Sequence, residues 1–417
     1  MLQARLANLS ATALQILQAA AVIGRTFASD LLQSSSGRTE DEIILGIEEL
    51  LARGLIREIT VQSTLNRALM VFDFVYDSVR ALVLEEISLI RLRLLHRRVA
   101  EALSEYDRFD PPTALDGQIA YHYQQAGLLE QAAECYFQAG QAARTIHANA
   151  DALSHFQTAL ALGYPEKSLV MLELGDLYLL QGDYPQAIQQ YEAAAAFSAA
   201  ALLPTIEQKI GRVYLRRGFW EQAACHFEAA LYDIDALLPE RQKSFEAEIH
   251  TDWSLACYRE GKMEQSTSLA QKALALAETS GASSPLAQVH NLLGVLARAD
   301  QKPNLAIEHL TKSLDFARLL ENPSAQIAAL NNLALAQTDQ GDYTLAIATL
   351  KDALEACLKL GDRHQEAALR NNLADTLRAD GQKESAMEQL KQAVAIFADI
   401  GQNIEDLEPE IWKLTEW

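Results

Sequence analysis

Residues 171–197 read MLELGDLYLLQGDYPQAIQQYEAAAAF, and the order of small and bulky residues in this stretch decides the fold. Gly175 stands seven residues before Gly182, and Ala187 stands five residues after it. A bulky residue, Tyr191, follows nine residues after Gly182. At helical spacing this order predicts two helices that meet at small side chains on either side of a turn.

The same arrangement recurs along the chain with a nearly constant period. The six turn positions are Gly182, Gly218, Gly261, Gln301, Gly341 and Gly381. The last three intervals are 40 residues each, and the first two are 36 and 43 residues. A period in this range is typical of a solenoid of helical hairpins, in which each unit packs only on its neighbours. Because a solenoid displays surface, the pattern predicts recognition as the function rather than chemistry.

Two earlier turn positions, Gly127 and His147, are only 20 residues apart. The helix between them, from Leu129 to Thr145, must therefore be the second helix of one hairpin and the first helix of the next. We expect the array to begin with this irregular pair of hairpins.

Composition and charge narrow the class of protein further. Of the 417 residues, 49% are hydrophobic and 22% are charged, which is ordinary for a folded chain. The formal net charge of −21 would repel nucleic acid and anionic lipid, so we expect neither as a partner. No apolar stretch is long enough to span a bilayer, and residues 1–10 lead into no signal-peptide core. These features predict a cytoplasmic protein.

Motifs for enzymatic or metal chemistry are missing from the sequence. The four cysteines have no short spacing, and no two histidines have the spacing of a zinc-binding helix. No glycine-rich loop precedes Lys-Ser or Lys-Thr, as cradling nucleotide phosphates requires, and Gly-x-Ser-x-Gly is absent. We therefore expect no catalytic residue, no metal site and no cofactor, and we expect that this chain is not an enzyme.

A different organisation precedes the repeats. Residues 9–86 predict three helices, two short strands and another helix, with Thr39 and Glu42 forming a capping box at the third helix. Three helices followed by a hairpin over residues 55–61 and 68–74 are typical of a winged-helix domain with a β-wing. The third helix, which would read DNA, carries five acidic residues and no basic one, so we expect no contact with DNA.

The hairpins resemble tetratricopeptide repeats over about residues 115–400. The residues that carry the resemblance in one copy are Leu174, Gly175, Tyr178, Gly182, Ala187, Tyr191 and Ala194. The copies of 40 residues resemble the longer variant found in kinesin light chains and related peptide-binding scaffolds. The resemblance implies an all-α superhelix of about seven hairpins, with a protein or peptide partner in its concave groove.

The first 110 residues resemble the region that follows the nucleotide-binding module in bacterial signal-transduction ATPases with numerous domains, a group that includes large LuxR-type regulators. The segments that carry this resemblance are residues 17–27, 50–56, 72–80 and 95–103. In that group the winged-helix domain resembles a lid over bound nucleotide, which implies that Tyr76 and Arg80 contact a nucleotide switch. A histidine is common at the position of Tyr76, and a neutral phenol is a weaker partner for phosphate. The nucleotide-binding module either lies upstream and is removed, or the chain has lost it.

A row of asparagines is the strongest candidate for a binding site. Asn291, Asn331 and Asn371 recur on the side of each first helix that is opposite to its small and apolar positions. A primary amide offers a donor and an acceptor to a peptide unit, so the row can hold an extended backbone. The other candidates on the same face are Arg298, Thr338, Asp375 and Arg378. The same amides can instead bond neighbouring helices, and the sequence leaves both interpretations open.

The chain therefore divides into four predicted segments. These are a winged-helix domain at 1–86, a connecting helix at 87–112, a tetratricopeptide-repeat array at 113–402 and a capping helix at 403–417. We expect the capping helix to cover Val394 and Phe397 of the last repeat.

Three hypotheses for the function follow from this division. The first is the sensor and scaffold arm of a regulatory protein, which binds a protein or peptide and signals to a nucleotide switch outside this chain. A stand-alone adaptor for protein assembly is the alternative. A DNA-binding regulator whose reader domain lies elsewhere is the third.

Overall fold

The computed structural model describes residues 6–62, 68–107 and 115–401. They fall into two compact units, residues 1–165 and residues 166–417. The segment boundaries after residues 86, 112 and 402 stay predictions, and the predicted capping helix lies outside the described residues.

The first unit begins with three helices and a small antiparallel sheet. In chain order the elements are α1 (Ala11–Ile23), β1 (Thr26–Ala28), α2 (Ser29–Ser36), α3 (Glu40–Ala52), β2 (Ile56–Gln62) and β3 (Ala68–Phe74). The capping box at α3 is confirmed, because Thr39 and Glu42 each bond the other's backbone. The hairpin is confirmed as well, with Ile56 of β2 opposite Phe74 of β3. Strand β1, which pairs with β3, is an addition to the prediction, since three residues are too few to show an alternating pattern.

Five further helices complete the first unit. They are α4 (Asp77–Glu86), α5 (Leu89–Asp107), α6 (Asp116–Ala126), α7 (Leu129–Thr145) and α8 (Asn149–Ala161). Leu17 of α1, Phe74 of β3 and Val99 of α5 share one buried cluster, so α5 packs onto the three-helix part. Helix α7 contacts both α6 and α8, which confirms that it belongs to two hairpins. His147, at the predicted turn position after α7, has a φ of 58°.

Residues 166–401 of the second unit form six consecutive helical hairpins. Their helix pairs are α9 (Lys167–Gln181) with α10 (Tyr184–Phe197), α11 (Leu203–Arg216) with α12 (Trp220–Tyr232), α13 (Pro239–Glu260) with α14 (Met263–Ser280), α15 (Ser283–Ala299) with α16 (Pro303–Leu319), α17 (Pro323–Gln340) with α18 (Tyr343–Leu360), and α19 (Arg363–Ala379) with α20 (Lys383–Gly401). Each hairpin also contacts the next one, which confirms the predicted helical solenoid.

Every predicted turn position in these hairpins has a positive φ. Gly182, Gly341 and Gly381 have φ angles of 80°, 84° and 86°. At Gln301 the φ is 57°, although this residue has a side chain. Glycine is favoured in this left-handed region because it has no Cβ to collide with the following carbonyl oxygen. The turn geometry is therefore kept even where the sequence departs from glycine.

Small residues let the two helices of a hairpin approach closely. A Cβ added to Gly175 would lie 2.4 Å from Cε1 of Tyr191, so the aromatic ring packs directly on bare backbone. The same contact recurs as Gly211 on Phe227 and Gly294 on Leu310. In the third hairpin the small pair is polar, and Ser254 Oγ donates to the carbonyl oxygen of Ser266 over 2.7 Å. The predicted contact at small residues is thus confirmed.

The first helices of the hairpins form a layer of their own. From α11 to α19 each first helix contacts the first helix of the next hairpin, and among the described residues no pair of second helices does so to the same extent. An array curves toward the side on which its helices lie closer. We therefore call α9, α11, α13, α15, α17 and α19 the inner layer. Helix α19 also contacts α9, so the array closes on itself.

Candidate functional site

Polar side-chain bonds join each helix of the inner layer to the next. In the first half of the layer all three involve a carboxylate. They are Lys209 Nζ to Asp176 Oδ1 at 2.6 Å, Arg212 Nε to Asp252 Oδ2 at 2.7 Å, and Ser284 Oγ to Glu248 Oε1 at 2.9 Å. All three bonds are partly buried, so solvent and salt screen them less than bonds at a free surface.

In the second half of the layer neutral amides take over this role. Asn332 Nδ2 on α17 donates to Asn291 Oδ1 on α15 over 3.0 Å. Asn372 Nδ2 on α19 donates to Asn331 Oδ1 on α17 over 2.9 Å. We call these four residues, together with Asn371, the amide ladder. A bond between the hydroxyls of Thr338 and Thr376, 3.2 Å apart, runs beside it.

The position predicted for the asparagine row needs a correction. Only 3% of Asn331 and 7% of Asn371 are exposed, and Asn291 is half-buried. The helical pattern places these residues opposite the apolar side of a single hairpin, but in the array that side meets the first helix of the next hairpin. For Asn291 and Asn331 the structure therefore shows the bond between neighbouring helices that the sequence left open as a second interpretation.

Two members of the amide ladder escaped the sequence reasoning. Asn332 and Asn372 are the donors, and each follows directly after a predicted residue. The signal was present as the doublets Asn331-Asn332 and Asn371-Asn372, which are 40 residues apart. The second asparagine of a doublet faces back toward the preceding hairpin, whereas the first faces forward.

Asn371 is the open end of the amide ladder. Asn291 and Asn331 each accept a hydrogen bond from the following first helix. Asn371 occupies the same position on α19, and within the part of the chain that the structure describes its side chain makes no hydrogen bond. Its amide is therefore available to an added backbone.

The charged candidates fall into one engaged pair and one open pair. Arg298 is largely buried and bonds Asp339 through Nε at 2.7 Å. This pair borders a cavity of about 420 Å³, whose lining residues are Tyr258, Arg298, Ala299, Gln301, Pro303 and Asp339. Arg378 and Asp375 on α19 pair at 2.8 Å, but their side chains are 73% and 58% exposed. An exposed pair of this kind exchanges partners at little cost.

The first unit holds the two candidates for contact with a nucleotide switch. Tyr76 precedes α4 and is 56% exposed. Arg80 donates from Nε to the carbonyl oxygen of Ala21 over 2.9 Å, so part of its guanidinium is engaged in the fold. Of the two side chains, Tyr76 is the more accessible.

Two negative findings apply to the described residues alone. Among them, no group of three or more His, Cys, Asp or Glu side chains is arranged to hold a metal ion. None of their helices combines the length and the apolar character that crossing a membrane requires.

The tetratricopeptide repeat family matches two parts of the chain, residues 137–201 and residues 326–399. The sequence has no significant match among curated proteins.

Solved structures resemble the chain more widely, at low sequence identity. A signal-transduction ATPase with numerous domains from Pyrococcus horikoshii, which has a tetratricopeptide repeat sensor, is 12% identical with a TM-score of 0.50. The alignment covers 98% of this chain and 62% of that protein. A Rap protein in complex with competence and sporulation factor is 14% identical with a TM-score of 0.53, and the alignment covers 78% of this chain and 92% of that protein. The chain thus contains tetratricopeptide repeats in a helical solenoid, a fold on which protein partners bind.

Proposed function

We propose that this chain is the sensor and scaffold arm of a regulatory protein and binds an extended peptide segment at the α19 end of the inner layer. The observation that carries the proposal is Asn371, whose amide repeats the position of Asn291 and Asn331 but has no intramolecular bond among the described residues. A peptide N–H can donate to Asn371 Oδ1 as Asn372 does to Asn331, and a peptide carbonyl can accept from its Nδ2.

The charged residues beside Asn371 favour an acidic ligand. Arg378 is exposed, and its present partner Asp375 lies on the same helix. A carboxylate of the ligand can replace Asp375 at this guanidinium, because an exposed pair is worth no more than about 1 kcal/mol. Arg298, at the cavity bordered by Asp339, offers a second cationic position along the same layer.

The first unit supplies the link to a nucleotide switch outside this chain. The proposal treats its three helices and three-stranded sheet as a winged-helix domain, and it assigns Tyr76 as the first contact with the switch. Support comes from the sequence resemblance and from the accessible position of Tyr76 before α4. The engagement of Arg80 with Ala21 favours the second candidate, a stand-alone cytoplasmic adaptor that needs no switch.

Single substitutions on α19 test the binding site. The probe is a pool of fluorescein-labelled acidic decapeptides, with a basic pool of the same length for comparison. Asn371→Ala should weaken binding about two- to tenfold, because one hydrogen bond is worth about 0.5–1.5 kcal/mol. The melting temperature should stay unchanged. Arg378→Ala should reduce the preference for the acidic pool.

Asn331→Ala is the matched control, since this residue is already bonded to Asn372. It should lower the melting temperature. If both Asn371→Ala and Arg378→Ala bind the acidic pool like the wild-type chain, the site lies elsewhere.

A further inference from the structure

The end of the second unit returns to its beginning through two polar contacts. Tyr184 Oη on α10 lies 2.5 Å from His364 Nδ1 on α19, although the residues are 180 positions apart. Arg216 at the end of α11 donates through Nη1 and Nη2 to the carboxylate of Asp362, over 3.1 and 2.7 Å. The Asp362 side chain is fully buried. We call these contacts between α19–α20 and α9–α11 the seam.

Apolar contacts accompany the polar ones at the seam. A Cβ added to Gly182 would lie 2.7 Å from Cγ1 of Ile400, so the end of α20 packs on the turn of the first hairpin. Ile400 shares a buried cluster with Leu172 and Tyr184. The ring of Phe397 meets His364 edge-on, with ring centroids 5.9 Å apart. The last helix therefore buries its apolar side against the first hairpin of the same unit.

The chemistry of the seam makes it easier to separate than a hairpin. Burying an ion pair carries a desolvation penalty close to its electrostatic gain, so Arg216 and Asp362 lose little net free energy when both return to water. By contrast, separating Tyr191 from Gly175 would expose an aromatic ring without any compensating hydration. The array should therefore open first at the seam.

The seam also governs access to the inner layer. Asn371 and Asn331 are almost completely buried in the closed array. Asn371 lies on α19, the helix whose first turn holds His364 and follows Asp362. A backbone that bonds the amide of Asn371 needs room beside this helix, and moving α19 and α20 away from α9–α11 provides it.

We propose that the seam is a clasp, which must part before a peptide reaches the inner layer and which holds the empty array closed. The inference rests on the proposed function, because it names the step that admits the peptide. The clasp itself can be measured without any peptide.

A distance measurement tests the clasp directly. Spin labels are placed at two exposed positions across the seam by Gln186→Cys and Lys391→Cys, in a background with Cys135→Ser and Cys225→Ser. The wild-type pair should show one short distance. Asp362→Asn should shift a large share of molecules to longer distances, because it leaves Arg216 without a carboxylate while an asparagine still caps α19.

Asp342→Asn is the matched control for this substitution. Asp342 caps α18 in the same way, through Leu345 N, but it contacts no residue of the seam. It should leave the distance unchanged. An identical distance distribution in Asp362→Asn and Asp342→Asn, with both proteins fully folded, would falsify the clasp.

A reversible lock then connects the clasp to binding. The close approach of Gly182 and Ile400 suits a disulfide, so Gly182→Cys with Ile400→Cys should form one on oxidation. The oxidised protein should bind the acidic decapeptide pool at least about tenfold more weakly than the same protein after reduction. Asp362→Asn should bind it about tenfold more tightly than the wild-type chain.

The outcomes separate the two proposals. Equal binding before and after reduction would show that peptides reach the inner layer with the seam shut, and the clasp would be wrong. If neither the wild-type chain nor Asp362→Asn binds any pool, the proposed function fails, while the label distances still decide whether the seam opens.

Discussion

The amide ladder and the seam are both polar contacts of the inner layer, but they differ in charge and in the sequence distance between partners. In the ladder, neutral amides 41 residues apart join neighbouring hairpins. In the seam, an ion pair and a tyrosine–histidine pair join residues 146 and 180 positions apart. Neighbouring hairpins are also held by their own packing, whereas the seam forms only once all six hairpins are stacked. One array thus combines joints that are indifferent to pH with one that responds to it.

The largest expected effect comes from leaving a charge alone in the seam. Asp362→Ala removes the partner of the buried Arg216 and should destabilise the closed array relative to the open one by about 3–5 kcal/mol. Hydrogen exchange of backbone amides is the measurement. Exchange in α20 should become at least about 100-fold faster, while α13 to α16 keep their protection.

Asp342→Ala provides the comparison, because it removes a helix cap without touching the seam. It should cost about 1 kcal/mol, confined to α18. Faster exchange throughout all hairpins of Asp362→Ala would mean that the seam does not open as a separate unit.

Acidification should produce the second effect, through His364. Burial, and then the charge of Arg216, lower the pKa of His364 from 6.5 to about 3 in the closed seam. The other charged or titratable groups facing it are Tyr184, Asp362 and Arg259. The open state takes up a proton below pH 6.5 and the closed state does not, so the stability of the seam is complete above that pH and falls as the pH drops toward about 3.

Between pH 7 and pH 5 this loss should reach about 2 kcal/mol. The label distance across the seam should lengthen over this range, and His364→Phe should abolish the change. The amide ladder contains no titratable group, so labels placed on α15 and α17 should report no movement. A pH response that persists in His364→Phe would assign it to another group.

The smallest effect is expected from the ladder itself. Asn372→Ala deletes the bond to Asn331 and should lower the free energy of unfolding by about 0.5–1.5 kcal/mol, as measured by urea denaturation. The seam distance should not change. A large opening of the seam in this variant would contradict the distinction between the two kinds of joint.

The local architecture could be predicted because it depends on short-range patterns. Gln301 was identified as a turn residue from its spacing alone, and it has the positive φ of the glycines at the equivalent positions. The contact of Gly175 with Tyr191 followed from helical periodicity, since both residues belong to one hairpin. Such contacts span fewer than 20 residues, and each repeat states them again.

The seam could not be predicted, for a physical reason. Whether His364 meets Tyr184 depends on the small rotation between successive hairpins, added up over the whole array, and no local pattern contains that sum. The same gap explains an incorrect expectation about Phe397, which was assigned to the capping helix. It is only 7% exposed among the described residues, because the seam covers it. Val394 does remain exposed, so a cap over that side of α20 stays a prediction.

Closure of the array has a consequence for how this chain can change in length. An open solenoid can gain or lose a repeat by duplication or deletion, because each new unit needs only its two neighbours. Here a seventh hairpin inserted between α12 and α19 would carry His364 away from Tyr184 and Asp362 away from Arg216. Six is therefore the number of hairpins that satisfies both ends at once, and the seam acts as a ruler that counts repeats.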